Sequence, residues 1–149
     1  MVKLSRAFFL CILIGCNQAS STGTPNVSSD ADKLKAAATE KLKVALDGWQ
    51  FGESDEQIRQ RNPGVYVIQM GDLLVRQSVL SRYDIDAGRP DTGTCDDGSR
   101  IDGYEFMVTL FFTNKAGQEV KQPWRYGVHE SCNGDGTWVV SGASREEMQ

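Results

Sequence analysis

The chain has 149 residues, with 16 Lys and Arg against 20 Asp and Glu, a formal charge of −4 and a mean hydropathy of −0.39. That length supports a single core and is too short for two. The acidic balance lacks the basic footprint that DNA or RNA requires and opposes a peripheral hold on anionic phospholipid, so no nucleic-acid partner is expected.

The chain opens with Lys3 and Arg6, followed by the apolar run Ala7-Phe8-Phe9-Leu10-Cys11-Ile12 and then Leu13-Ile14-Gly15-Cys16. A basic start, an apolar run too short to span a bilayer as a mature helix, and small residues at a cut site are the parts of a secretory signal. With the cysteine, this start resembles a bacterial lipoprotein signal: Leu13, Gly15 and Cys16 match its box, and Ile14 is a tolerated variant. The resemblance implies removal of residues 1–15 and a mature chain that starts at Cys16, carrying a thioether diacylglycerol and usually an amide-linked acyl chain such as palmitate. The alternative is an ordinary signal peptide with a chance cysteine. Each buried methylene contributes about 0.8 kcal/mol, so several acyl chains anchor the protein permanently. The expected location is a bacterial cell envelope, with the membrane as a partner through the anchor. In the resembled family an aspartate after the cysteine favours the inner membrane; Asn17 here favours the outer one, facing periplasm or surface. Loss of Lys3 and Arg6 leaves 14 basic against 20 acidic residues, a charge of −6 over 134 residues.

Two of the four cysteines are thereby assigned, since Cys11 leaves with the signal and Cys16 is acylated. Cys95 and Cys132 remain, and in an exported chain they are expected to form a structural disulfide. A metal site is the alternative, but two thiols and the single histidine, His129, fall short of four zinc ligands.

Residues 16–29 comprise the lipidated cysteine and a Ser/Thr/Asn-rich tether, whose thirteen residues from 17 reach at most about 45 Å when stretched. Ser29 with Asp32 forms a capping box opening a long helix, in which Leu34, Ala38, Leu42, Ala45 and Trp49 share one face. This amphipathic helix is expected to pack on a sheet, the alternative being a membrane surface. Ser54 and Gln57 cap a second, short helix through Arg61, ended by Asn62-Pro63-Gly64. From Val65 the period changes to two. Val65 to Ile68 reads as a short strand, and Val75, Val79, Tyr83 and Ile85 as the apolar face of another. Residues 86–103, rich in Gly and Asp, read as a long loop. Tyr104, Phe106, Val108, Leu110 and Phe112 then line one face of a strand, Asn114-Lys115-Ala116-Gly117 turns it, and Val120, Trp124, Tyr126 and Val128 return. Pro123 removes a backbone donor and should mark an edge or a bulge. If Asn114 opposes Gly117, facing residues sum to about 231, which brings Cys132 close to Cys95 at the open end of the hairpin. Thr137 to Ser141 is a last short strand, and residues 143–149 form a disordered polar tail.

The fold class expected is α+β: one domain over residues 30–142, with a long and a short helix on a curved antiparallel sheet of about four to five strands. Trp49-Gln50-Phe51-Gly52, Pro63 and Leu80-Ser81-Arg82-Tyr83-Asp84-Ile85 are similar to motifs of uncharacterised envelope lipoproteins within the nuclear transport factor two-like, or cystatin-like, superfamily. The resemblance covers residues 31 to 141; the Asp-rich insertion with Cys95 departs from it. It implies a cone whose mouth can hold a small apolar molecule, and in a few members isomerase, cyclase or dehydratase chemistry on an Asp/His or Tyr/Asp pair. A fold does not carry an activity with it. No catalytic residue is assigned, His129 reads as a surface or satisfied histidine, and no cofactor is expected. Tyr104, Phe106, Trp124 and Tyr126 are candidates to line a ligand mouth, although strand aromatics are usually core. Asp96, Asp97, Asp102 and Asp135 could offer oxygens to Ca²⁺, but the EF-hand spacing is absent and Asp-Gly is common turn chemistry, so no metal is assigned. The leading expectation is a lipid-anchored protein with a non-catalytic binding or interaction domain, for a protein partner or small apolar ligand. The alternative is a small cone-fold enzyme.

Overall fold

The structure, a computed structural model, describes residues 29–68 and 79–144. The lipoprotein box, Cys16, the tether up to residue 28, Val75 and residues 145–149 lie outside the described residues.

Helix α1 spans Asp30–Gln50 and starts with the expected reciprocal cap: Ser29 accepts from the Asp32 amide, while the Asp32 carboxylate accepts from Ser29. Its buried stripe is Ala38, Leu42, Ala45, Leu46 and Trp49, with Leu34 half-buried. This stripe packs against the sheet, so the helix spends its apolar face on the core rather than on a bilayer surface. Helix α2, Asp55–Arg61, repeats the cap with Ser54 and Gln57 and buries only Ile58. Ile58 approaches the α1 backbone at Gly48, where any Cβ would meet its side chain. Between the helices, the Trp49 indole donates to the Asp55 carboxylate at 2.8 Å.

Six strands follow: β1 Val65–Ile68, β2 Val79–Ile85, β3 Arg89–Thr94, β4 Arg100–Thr113, β5 Glu119–Glu130 and β6 Trp138–Ser144. They form one curled sheet in the order β1-β6-β5-β4-β2, with β3 also paired to β4. The 14-residue β4 holds two strands on one edge, β3 along Arg100 to Glu105 and β2 along Val108 to Thr113. Between them the chain crosses Phe106 at Gly88, a position with no room for a Cβ beside that ring.

Several features depart from the sequence reading: the sheet has six strands rather than four to five, and in β2 Val79 is exposed while Leu80 is buried, the register shifting between Leu80 and Arg82. The expected loop at 86–103 contains β3 and the start of β4, which form a hairpin around Asp96-Asp97-Gly98, with Gly98 at φ 82°. The strand β1 pairs in parallel with β6, so the sheet is mixed rather than purely antiparallel. Ala143 and Ser144, assigned to the tail, extend β6 opposite Arg125 and Trp124. The β4–β5 register is Thr113 to Glu119, a sum of 232 rather than 231, because Gln118 joins the turn: Asn114 donates to the Gln118 carbonyl at 3.0 Å. Gly117, at φ 76°, closes this three-residue loop in the left-handed region. Pro123 pairs with Thr109 and sits one residue beyond the last described pairing of β5 with β6, in keeping with its missing donor.

The register places Tyr104, Phe106, Val108, Leu110 and Phe112 of β4, with Trp124, Tyr126 and Val128 of β5 and Trp138 and Val140 of β6, in a single core under α1. Cys95, in the β3–β4 loop, is disulfide-bonded to Cys132, in the β5–β6 turn, with Cα atoms 5.8 Å apart. The bond staples two neighbouring loops at one end of the sheet.

Candidate functional site

The four aromatics expected at a ligand mouth divide into two groups. Phe106, Trp124 and Tyr126 lie under α1, at 1%, 4% and 0% exposure, with Trp124 stacked on Tyr126 and Trp49 tilted against it. They fill the space between helix and sheet. The phenol of Tyr126 faces the negative charge of Asp55, and burial, more than that charge, holds its pKa well above the ordinary 10. Nearer the sheet's edge, Tyr83 donates to Asp47 at 2.6 Å; burial first, then the bond and charge of Asp47, push its pKa up to about 12. These phenol–carboxylate pairs tie the two helices to the sheet. Because Tyr126 is enclosed, its hydroxyl cannot meet a substrate in this state.

Tyr104 is different. Its hydroxyl donates to the Ala31 carbonyl at 3.0 Å, in the first turn of α1, and its ring lines a cavity of about 630 Å³ at the end of the helix–sheet wedge. The cavity opens between α1, the β3–β4 hairpin and the end of β5. Leu34 and Tyr104 supply apolar lining, Asp30, Asp102 and Glu130 bring exposed carboxylates and Arg100 is the cation among the lining residues, whereas the side chains of Ile101 and Asp91 lie on the other face of the sheet, beside His129. The site therefore exists only because the expected loop is a hairpin. Alternation is obscured there by Pro90 and Gly93, and the disulfide was the available signal that the segment is structured.

On the opposite face of the sheet, His129 lies over Gly103, its cross-strand neighbour, and a Cβ at Gly103 would run into the ring. The ring meets Asp91 through Nε2 at 3.2 Å, an arrangement in which the protonated nitrogen donates to the carboxylate. His129 is thus held by Asp91 on the face of the sheet away from α1. In the same face Glu105 is clasped by Arg89 at 2.6 Å and approached by Arg125 at 3.5 Å. Arg82 stacks over Phe111 and pairs with Asp84 and Glu119. These pairs solvate an otherwise uncovered face and individually contribute little stability.

The calcium candidates do not converge. Asp97 accepts from the Ser99 amide and Asp135 from the Thr137 amide, both at 2.9 Å; the Ser99 side chain and then its amide hold the Asp97 carboxyl below the usual range, and the Thr137 amide and then its side chain do the same for Asp135. Both are turn residues, Asp96 shares the loop of Asp97, and Asp102 lies on β4 at the cavity. Among the described residues, no three His, Cys, Asp or Glu side chains are placed to hold a metal ion.

No protein-family model, curated protein or solved structure matches this chain. Its functional reading therefore rests on the residues themselves.

Proposed function

We propose that this protein is a lipid-anchored component of a bacterial cell envelope, held by Cys16, whose domain is a non-catalytic binding module of the nuclear transport factor two-like kind. The observation that carries the second half is the burial of Phe106, Trp124 and Tyr126 beneath α1. A cone-fold enzyme needs an open interior with an ionisable group exposed to substrate; here that volume is taken by side chains, which leaves recognition to the mouth and the outer surfaces. The anchor draws its support from the charge, apolar run and box before Cys16, and Asn17 favours the outer membrane.

A second reading, a cyclase, isomerase or dehydratase acting on a small apolar molecule, draws on the Tyr126–Asp55 pair. Against it, the Asp55 carboxylate already accepts from Trp49 and the phenol is enclosed.

Two experiments test these halves separately. In cells, Cys16→Ser should leave an unprocessed, unlipidated chain; normal processing and membrane retention of that variant would overturn the anchor. For the domain, titration of the full chain with neutral apolar molecules such as naphthalene and decanol should give no saturable binding. Saturable binding that Trp124→Ala abolishes, while its stability in denaturant stays measurable, would show that the interior is open and contradict the filled core on which this half rests.

A further inference from the structure

Five Asn-Gly or Asp-Gly pairs occur in the chain: Asp47-Gly48, Asp97-Gly98, Asp102-Gly103, Asn133-Gly134 and Asp135-Gly136. At such pairs a main chain can attack its own side chain, because a glycine leaves its amide nitrogen unshielded. The fold closes four of them. Asp47 lies in α1 with its carboxylate bonded to Tyr83, and Gly103 is held in β4 under the His129 ring. Asp97 and Asp135 turn their carboxylates to the amides of Ser99 and Thr137, two residues on, and stay ionised, which leaves the carboxyl carbon a poor electrophile.

Asn133-Gly134 differs in each respect. It lies in the turn between β5 and β6, and both residues are exposed. Among the described residues the Asn133 side chain has no hydrogen bond; its backbone amide donates to the Ser131 hydroxyl at 3.3 Å. Gly134 sits at φ 64° with no heavy atom within 4 Å of where a Cβ would stand, and its amide donates to the Ser131 carbonyl over a long 3.2 Å. An uncharged amide carbon on an unengaged side chain therefore meets an accessible neighbouring nitrogen at this pair.

We propose that Asn133 is a site of spontaneous modification in the folded protein, converting to aspartate and isoaspartate through a cyclic imide. The Gly134 nitrogen gives its proton to hydroxide and attacks Asn133 Cγ. The new C–N bond closes a five-membered ring as the Cγ–Nδ2 bond breaks, and ammonia leaves with a proton taken from water. Water then opens the ring. Cleavage at Cγ gives aspartate; cleavage at the Asn133 main-chain carbonyl gives isoaspartate, whose main chain runs through Cβ and Cγ. One water enters and one ammonia leaves, with no change of oxidation state. Either product carries a new negative charge beside Asp135. The isoaspartyl main chain is also one carbon longer, inside a turn closed by the Cys95–Cys132 bond and by the Ser131 amide on the Thr137 carbonyl at 2.6 Å. That added length loosens the turn.

The test is peptide mapping of the full chain, disulfide intact, during incubation in mildly alkaline buffer, beside a synthetic peptide spanning residues 131–137. Asn133 should convert within about tenfold of the peptide's rate, because only one long hydrogen bond has to open first. Asn114, whose side chain is bonded to Ala116 and Gln118, should stay intact over the same period. An intact Asn133 after the peptide has converted overturns the assignment. So does equal conversion of Asn114, which would place the reaction in the unfolded chain. Asn133→Asp, which adds the charge alone, should melt like the unmodified protein, while the chromatographically separated isoaspartyl form should melt lower. Equal melting of the isoaspartyl and unmodified forms would overturn the loosening of the turn.

Discussion

Tyr83 and Tyr126 carry the clearest electrostatic consequence at the scale of single residues. Each phenol is held protonated in the folded state, Tyr83 up to about 12 against an ordinary 10. A raised folded pKa contributes stability that is fully present below the unfolded value and is lost as pH rises through the folded one. Stability should therefore fall between pH 10 and 12, and Tyr83→Phe should flatten part of that fall while removing one late phenol transition from the absorbance titration. An unchanged titration curve in Tyr83→Phe would show that the phenol is not held by Asp47. Some residue-scale features were legible in the sequence: Ser29 with Asp32 and Ser54 with Gln57 read as caps because capping needs only local spacing. Others were not. Gly103 is demanded by the His129 ring across the strand, and Asp91 by its bond to that ring, so both depend on tertiary pairing that spacing along the chain does not encode.

Among the elements, the β4–β5 hairpin shows how two sequence signals can disagree. The turn alone suggested a sum of 231 for facing residues, yet Phe106 and Tyr126 share the buried face only if that sum is even. Since a one-residue slip turns every side chain to the other face, burial outweighs the turn, and Gly117 enters the loop as the extra residue, with Gln118 closing it opposite Asn114. The left-handed Gly117 then becomes essential: Gly117→Val should cost about 1–2 kcal/mol, measured by urea unfolding, because a side chain with a branched Cβ is strained at positive φ. No loss would mean the loop relaxes to another turn. The strand β3 escaped notice because Pro90 and Gly93 dilute its pattern and its apolar face is slight; what holds it is pairing to β4 over six residues and the adjacent disulfide. The parallel contact of β1 with β6 was equally hidden, since four residues of alternating burial say nothing about the direction of a partner.

For the whole molecule, helix-on-sheet architecture was legible because the helical stripe and the strand alternation are both long, while the cavity beside Tyr104 was not, because it is assembled from the start of α1, a hairpin and the end of β5. The disulfide holds those loops beside the mouth. Closing a loop with a sequence separation of 37 residues is worth about 4 kcal/mol by chain entropy, so reduction should lower the melting temperature by roughly 10 °C and loosen the mouth before the core. A reduced chain with unchanged melting would place the stability of that end elsewhere.

The measurement that bears most directly on this account is the intact mass of the protein extracted from cell membranes, before and after reduction. The account predicts residues 16–149 with a diacylglyceryl group and further acyl chain on Cys16, lighter by two hydrogens before reduction than after. A chain of unmodified mass, or one beginning elsewhere than Cys16, would contradict it.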